Sequence, residues 1–391
     1  MSTEIRELAP DEMASAQRLG HEAFGSPRPS DDGGPVPAAP GRRFLGALVD
    51  GRLVAKLSAV SHRSWWHGAD VPTLGIGGVA VEVEHRGAGL VGRLFAEARA
   101  GAEADGAALS TLYPTAPAIY RRLGYEIVTD LLTVAVPTSA LAQLRAPDGV
   151  RLRRAEVADV PAVREAYREW ARTRNGPLTR TGPAFPETDE ELLGEFSGIT
   201  LAERDGRVVG WCSFERGTGY GPESRIEVTD LLAVDPGAHL ALLASLGRHA
   251  SVVGRVELQT SGDDLLRLLT RTADWSVLER SPYMLAVLDP VAALEGRRWP
   301  PMDVSLPLVL ADADGTRGLR LELDGEGGAT CTTTEPAPDA PVLTRRGLAA
   351  RFSGHWSCAS LRGAGQLAGD SRHDWLLDAL FTGECHVRDY F

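Results

Sequence analysis

The chain has 391 residues, a formal charge of −12, and four cysteines with no CxxC pair among them. At about 150 residues per domain it has room for two or three domains, and its 43% apolar and 24% charged residues are those of an ordinary globular protein. These figures exclude a disulfide framework and a cysteine-built zinc site, no apolar run approaches the ~20 residues of a membrane span, and an acidic surface repels nucleic acid and anionic lipid. The same charge attracts cations such as a polyamine, a lysine or an amino sugar, although plain solubility is the better account of charge alone. The opening MSTEIRELAP has no basic stretch followed by an apolar core, so a cytoplasmic chain with buried, reduced thiols is expected.

Read in chain order, the sequence repeats itself faintly. A short strand and a helix, Glu4 to Phe24, are answered by Val150 to Ala171. DGRLVAKLSAV (Asp50 to Val60) is answered by DGRVVGWCSFE (Asp205 to Glu215), each an Asp-Gly hairpin turn and an apolar strand. LGIGGVAVEVEHRGAGLVGRLF is answered by IEVTDLLAVDPGAHLALLASLG, each an apolar strand, a turn and a helix. Each copy predicts helices wrapped on a mostly antiparallel sheet around a central strand–loop–helix unit. The copies part between Pro137 and Gly149, and the second ends near Leu288. Beyond it, Val304 to Leu310, Gly318 to Leu323 and GATCTTT predict strands, and Leu343 to Phe352 and Asp374 to Phe381 predict amphipathic helices. The expected fold is α+β, in three domains: 1–137, 138–288 and 289–391.

The sharpest chemical signal runs from Val79 to Leu90. It begins as a strand, turns on Gly87 and Gly89, and continues as a helix whose Leu90, Val91, Leu94, Phe95 and Ala98 share one face. Glycines let backbone approach a ligand closely. The free N–H groups of a helix start favour phosphate, and Arg86 adds a positive charge. Two alternatives compete: a dinucleotide fold, for which GxGxxG after a first strand is absent, and a plain structural turn, the default for an isolated RGAG. Downstream, a strand from Ala107 to Tyr113 leads into a short helix with Ile119-Tyr120-Arg121-Arg122-Leu123-Gly124-Tyr125. His85 reads as a turn residue, and no trio of histidines has metal-ligand spacing, so no metal is expected.

Arg-x-x-Gly on a strand–turn–helix, followed by Tyr-Arg-Arg-Leu-Gly-Tyr, resembles the GNAT acetyltransferase superfamily. Here Val91 stands at the pattern's last position, with Gly92 one step later. Over the whole chain the sequence resembles the enhanced intracellular survival (Eis) family: two tandem GNAT-like domains, the first intact and the second degenerate, then a sterol-carrier-protein-like domain. The second copy has Asp235-Pro236-Gly237-Ala238 in place of Arg-x-x-Gly and reads as scaffold.

The resemblance implies transfer of an acetyl group from acetyl-CoA to a primary amine of a small molecule. It puts the co-substrate on Val79, Ala80 and Val81, which offer backbone N–H groups to the thioester. The pyrophosphate falls to Arg86, Gly87, Ala88, Gly89, Leu90, Val91 and Gly92, and the far side of the co-substrate to Thr115 and Ala116. It makes Tyr120 the general acid and the carboxylate of Phe391 the general base, an aromatic terminus docked into the first domain. The substrate positions fall on Ser26, Trp65, Trp66, Gly78, Tyr113 and Tyr390. Ser26 and Tyr390 replace carboxylates that other members offer to aminoglycosides, which weakens the case for a polycationic acceptor; Trp65 and Trp66 are candidates to rebuild an aromatic wall, and Gly77-Gly78 to leave room near the thioester. The resemblance further implies a homo-oligomer, a hexamer. Two alternatives stand beside this reading: a non-catalytic lipid or acyl-CoA binder, in which Trp375 to Phe381 lines a lipid tunnel, and a protein-lysine acetyltransferase with an open cleft.

Overall fold

The computed structural model describes residues 2–25, 40–262, 265–313 and 315–391. The first copy contains β1 (Thr3–Glu7), α1 (Met13–Phe24), β2 (Arg42–Val49), β3 (Arg52–Trp66), β4 (Ala69–Val81), α2 (Leu90–Ala104), β5 (Leu109–Leu112), α3 (Pro117–Arg121) and β6 (Glu126–Pro137). The second contains α4 (Thr138–Leu141), β7 (Arg151–Arg154), α5 (Val160–Ala171), α6 (Asp189–Gly194), β8 (Gly198–Arg204), β9 (Arg207–Arg216), β10 (Gly221–Ala233), α7 (Pro236–Gly247), β11 (Val253–Thr260), α8 (Leu265–Leu269) and β12 (Ser276–Val287).

Both copies share one 12-stranded sheet, in the order β1-β2-β3-β4-β5-β12-β6-β11-β10-β9-β8-β7. The sixth strands are exchanged. β12 of the second copy pairs with β5 of the first, β6 of the first pairs with β11 of the second, and β6 and β12 pair with each other, all antiparallel. Each copy therefore completes the other's sheet, and neither has its central edge closed by its own strand.

The remaining chain forms α9 (Pro290–Gly296), β13 (Asp303–Asp312), β14 (Gly315–Asp324), β15 (Ala329–Thr334), β16 (Val342–Thr344), α10 (Arg345–Ser353), α11 (Cys358–Gly363), β17 (Leu367–Ala368) and α12 (Asp374–Leu380). Its 5-stranded sheet runs β15-β14-β13-β16-β17. Leu376, Leu377, Leu380 and Phe381 are buried in a core that also holds Leu306, Leu321 and Phe352. α10 packs onto β12 and β6, which ties this unit to the exchanged strands.

Candidate active site

The site begins where two parallel strands part. β4 pairs with β5 only from Thr73↔Leu109 to Ile76↔Leu112. β5 stops there, and Pro114, with no N–H to give, follows two residues later. β4 runs on to Val81, so Gly77 to Val81 have no strand partner on that side. On the other side β4 pairs with β3, and the register slips so that Gly78 and Val79 oppose Leu57 alone. Gly78 has φ +55, the left-handed backbone such a bulge requires.

Below the gap, α2 starts at Leu90 with no side-chain cap, since Gly89 stands at the N-cap position. Gly87 and Gly89 adopt φ +83 and +73, and a Cβ at Gly87, Gly89 or Gly92 would meet no atom within 4 Å. Backbone donors and open space thus face one another, as an anion cradle requires. Arg86 ends the preceding turn, with its Nε 3.5 Å from the Val81 carbonyl. Ala88 lies in the same turn, Leu90, Val91 and Gly92 form the first helical turn, and Thr115 and Ala116 immediately precede α3. The equivalent position in the second copy is closed: Asp235 caps α7 by accepting from the Ala238 N–H at 2.7 Å and pairs with Arg204. A carboxylate occupies the place an anion would need.

The two faces of β4 carry different chemistry. Leu74 and Ile76 point into the core beneath α2, with Leu90, Leu94, Phe95 and Tyr120. Tyr120 is 6% exposed, its ring 5.7 Å from Phe95, and burial raises its pKa. Gly75 and Gly77 face the other way, toward the end of the chain. A Cβ on Gly75 would stand 2.8 Å from the Phe391 ring and from His62, and one on Gly77 would stand 3.2 Å from a Phe391 oxygen and from Ser58 Oγ. Two glycines are what let the terminal residue lie on the strand.

The tail is held along its length. The Asn175 N–H donates to the Glu384 carbonyl and the His386 N–H to the Asn175 carbonyl. Ser261 Oγ donates to the Val387 carbonyl at 2.7 Å. Arg388 donates to the carbonyls of Thr229 and Gln259, where β10 and β11 part, and so fills the second copy's own gap. Asp389 pairs with half-buried Arg180, which also pairs with Asp230. The Tyr113 hydroxyl donates to the Asp389 carbonyl at 2.9 Å. Burial raises the pKa of Asp389 even beside Arg180.

Among the substrate positions anticipated from sequence, Gly78, Tyr113 and Tyr390 lie at this site. Tyr113 is half-buried and holds the tail, while Tyr390 is 70% exposed with its ring 4.5 Å from Tyr113. Trp65 and Trp66 do not lie there. They end β3, where Trp66 faces Ala69, eight residues along the strand from Ser58 and hence roughly 26 Å away. Trp66 is 1% exposed against Phe352, and Trp65 packs on the second copy's core. Gly77 and Gly78 do not leave room either: the terminus fills the space over Gly77, and Lys56 Nζ lies 3.7 Å from a Gly78 Cβ. Ser26 falls outside the described residues.

Sequence reading missed Arg42, Lys56, Ser58 and His62. Lys56, Ser58 and His62 alternate on β3, so they share one face. Their spacing was visible, but not what that face meets. Asp389, adjacent to Tyr390, is taken by Arg180 and is not available to a cation. The four cysteines are free and buried, and among the described residues no group of three or more His, Cys, Asp or Glu could hold a metal ion. No helix of the described residues is long and apolar enough to cross a membrane.

The chain is similar to known proteins. An acetyltransferase (GNAT) domain family matches residues 4–128, and a second one matches residues 170–287. An uncharacterized N-acetyltransferase of Streptomyces avermitilis is 33% identical over 77% of this chain and 76% of that one. The N-acetyltransferase Eis of Mycobacterium tuberculosis is 28% identical over 82% of this chain and 81% of that one. Among solved structures, a GCN5-related N-acetyltransferase from Anabaena variabilis superposes over the full length of both chains with a TM-score of 0.86 at 20% identity, a likeness of fold.

Proposed function

The chain belongs to the GNAT N-acetyltransferase family and is an Eis-like acyltransferase, and from that premise we propose that it moves the acetyl group of acetyl-CoA onto a primary amine of a small molecule. The observation that carries this reading is the uncapped glycine start of α2 beneath the gap between β4 and β5. In this proposal Arg86 and the backbone from Gly87 to Gly92 take the pyrophosphate, and Thr115 and Ala116 touch the far side. The backbone of Val79, Ala80 and Val81, beyond the reach of β5, lies along the thioester and steadies the charge that develops on its oxygen.

The amine nitrogen attacks the thioester carbonyl carbon and the new C–N bond forms. The C–S bond then breaks, and the departing sulfur takes a proton from the Tyr120 hydroxyl, which burial keeps protonated through neutral pH. The proton lost by the amine goes to the Phe391 carboxylate, directly or through water. Tyr120 lies under the α2 face of β4 and Phe391 over the opposite face, so acid and base stand on the two sides of one strand. The proposal keeps the domains at 1–137, 138–288 and 289–391, with the last a sterol-carrier-like unit that delivers the tail, in a cytoplasmic homo-oligomer such as a hexamer. Burial of Leu376, Leu377 and Leu380 in the core favours this over a lipid tunnel.

The test is free-thiol release from acetyl-CoA across a panel of amines. Tyr120→Phe should lower kcat by about two orders of magnitude or more and leave acetyl-CoA affinity within about twofold. A chain extended by one glycine after Phe391 should lose activity comparably. Unchanged kcat in both variants would remove these residues from the reaction, and failure of acetyl-CoA to bind would overturn the transferase reading.

A further inference from the structure

The face of β3 and β4 that receives the tail also gathers positive charge. Lys56 and Ser58 lie on β3, and Arg42 enters from β2, with its Nη1 3.5 Å from Ser58 Oγ. Lys56 Nζ stands beside Gly78, and Ser58 Oγ and a Phe391 oxygen both stand beside Gly77. The two cations therefore border the bulge where the acetyl group is proposed to arrive, on the side of β4 away from the α2 core.

Among the described residues neither cation has an ion-pair partner within 4 Å, although the Phe391 terminus lies beside Ser58. Each is partly buried, and burial pushes down the pKa of both, that of Lys56 further through its neighbour Arg42. Elsewhere several half-buried arginines are matched with carboxylates, Arg153 with Asp159 and Glu203, Arg180 with Asp230 and Asp389, and Arg362 with Asp374, while Arg174 and buried Arg297 form no ion pair among the described residues. Acidic residues are plentiful, 53 against 41 basic. Yet among the described residues neither Arg42 nor Lys56 forms an ion pair, with the Phe391 terminus or with any side chain. Like charges held close and partly buried cost stability. They also repel a polycation from the site they border.

Resting on the transferase reading above, we infer that the acceptor is a primary amine that also carries an anionic group, a carboxylate or a phosphate, and that Arg42 and Lys56 hold that group. A guanidinium and an ammonium bind such oxygens by charge-assisted hydrogen bonds, and Ser58 adds a neutral donor between them. The anion anchors one end of the molecule, so the amine at the other end is presented to the thioester. Arg42, Lys56 and Ser58 are specificity residues in this scheme, and the proton transfers remain with Tyr120 and Phe391. The acidity of the whole chain, which from sequence pointed to a cationic partner, is reversed at this one place.

Matched amines test the idea on the full-length protein. The alkyl set is n-butylamine, γ-aminobutyrate, aminopropylphosphonate and putrescine, and the aromatic set is phenethylamine and phenylalanine. Thiol release should give a kcat/KM at least about tenfold higher for an anionic member than for its neutral or dicationic counterpart, the margin of roughly one charge-assisted bond. The carboxylate and phosphonate arms separate the two anions. Lys56→Gln and Arg42→Gln should each erase most of that preference, the loss falling on KM for the anionic members. Two variants guard against a folding defect in one, and a thermal melt checks both. Anionic members that turn over no faster than n-butylamine or putrescine, or not at all, would overturn the inference while acetyl-CoA still binds. A preference that survives both substitutions would overturn the assignment to Arg42 and Lys56. Loss of acetyl-CoA binding itself would instead remove the transferase reading.

Discussion

At the scale of single residues, two glycines decide how closely Phe391 can lie on β4. Gly75 and Gly77 face the tail from β4, and each would place a Cβ within 3.2 Å of Phe391. Backbone strain is not the reason, because neither has positive φ; the reason is contact. Gly77→Ala should therefore displace the terminal carboxylate and lower kcat by at least about tenfold, since a shift of an ångström is that costly to positioning. Thermal stability should change by only about 1 kcal/mol, as for mild overpacking. Full activity in Gly77→Ala would mean that the terminus does not act at the bulge. The sequence showed Gly77-Gly78 plainly, but it suggested free space, because the segment that fills the space lies some three hundred residues away in the chain.

At the scale of elements, the two strand–turn–helix units differ at the helix N-cap, Gly89 in one and Asp235 in the other. α2 begins with open backbone donors over Gly89, and α7 begins with Asp235 already accepting from Ala238. Introducing a carboxylate into the first unit should reproduce the second. Gly89→Asp is expected to weaken acetyl-CoA binding by at least about tenfold, as a capping carboxylate takes the donors and repels phosphate. Calorimetric titration would show it, and unchanged affinity would place the pyrophosphate elsewhere. This contrast was legible in sequence as RGAG against DPGA. The other half of the degeneracy was not: Arg388 reaches the carbonyls of Thr229 and Gln259 and plugs the second gap.

At the scale of the molecule, the exchange of β6 and β12 makes the first two copies interdependent. A chain ending at residue 141 leaves β5 without its neighbour β12 and β6 without either partner. Such a fragment should be unfolded or aggregated by circular dichroism and sizing, whereas residues 1–391 are stable; a folded, monomeric fragment would show that the exchange is not needed for stability. Stability should also fall in mild acid. His62, His67 and His239 are each pushed down to about 4, chiefly by burial. Between that value and the unfolded value near 6.5, the unfolded chain binds protons that the native one refuses. The stabilisation is complete above about pH 6.5 and is lost as pH falls toward 4, by roughly 1–2 kcal/mol per histidine at pH 5. Melts at pH 7 and 5 should differ more in the native protein than in a triple His→Gln variant; equal differences would assign the effect to other groups.

Periodicity, turn chemistry and one repeated pattern were enough to determine from sequence the tandem copies, the glycine turn before α2, the helix that carries Tyr120 and an aromatic tail suited to docking. Each of these is local: glycine fixes a turn, and apolar spacing fixes which side of an element is buried. What only the tertiary structure decided is which elements meet. An alternation such as Lys56, Ser58, His62 states that three side chains share a face. It does not say that Arg42 joins them or that Phe391 lies opposite. Trp65 and Trp66 failed as site residues for the same reason, because a long strand has two ends and only its pairing with β4 tells them apart. Strand exchange and the docked tail are contacts between distant segments, whose cost is loop closure and whose gain is burial, and neither leaves a periodic trace in the chain.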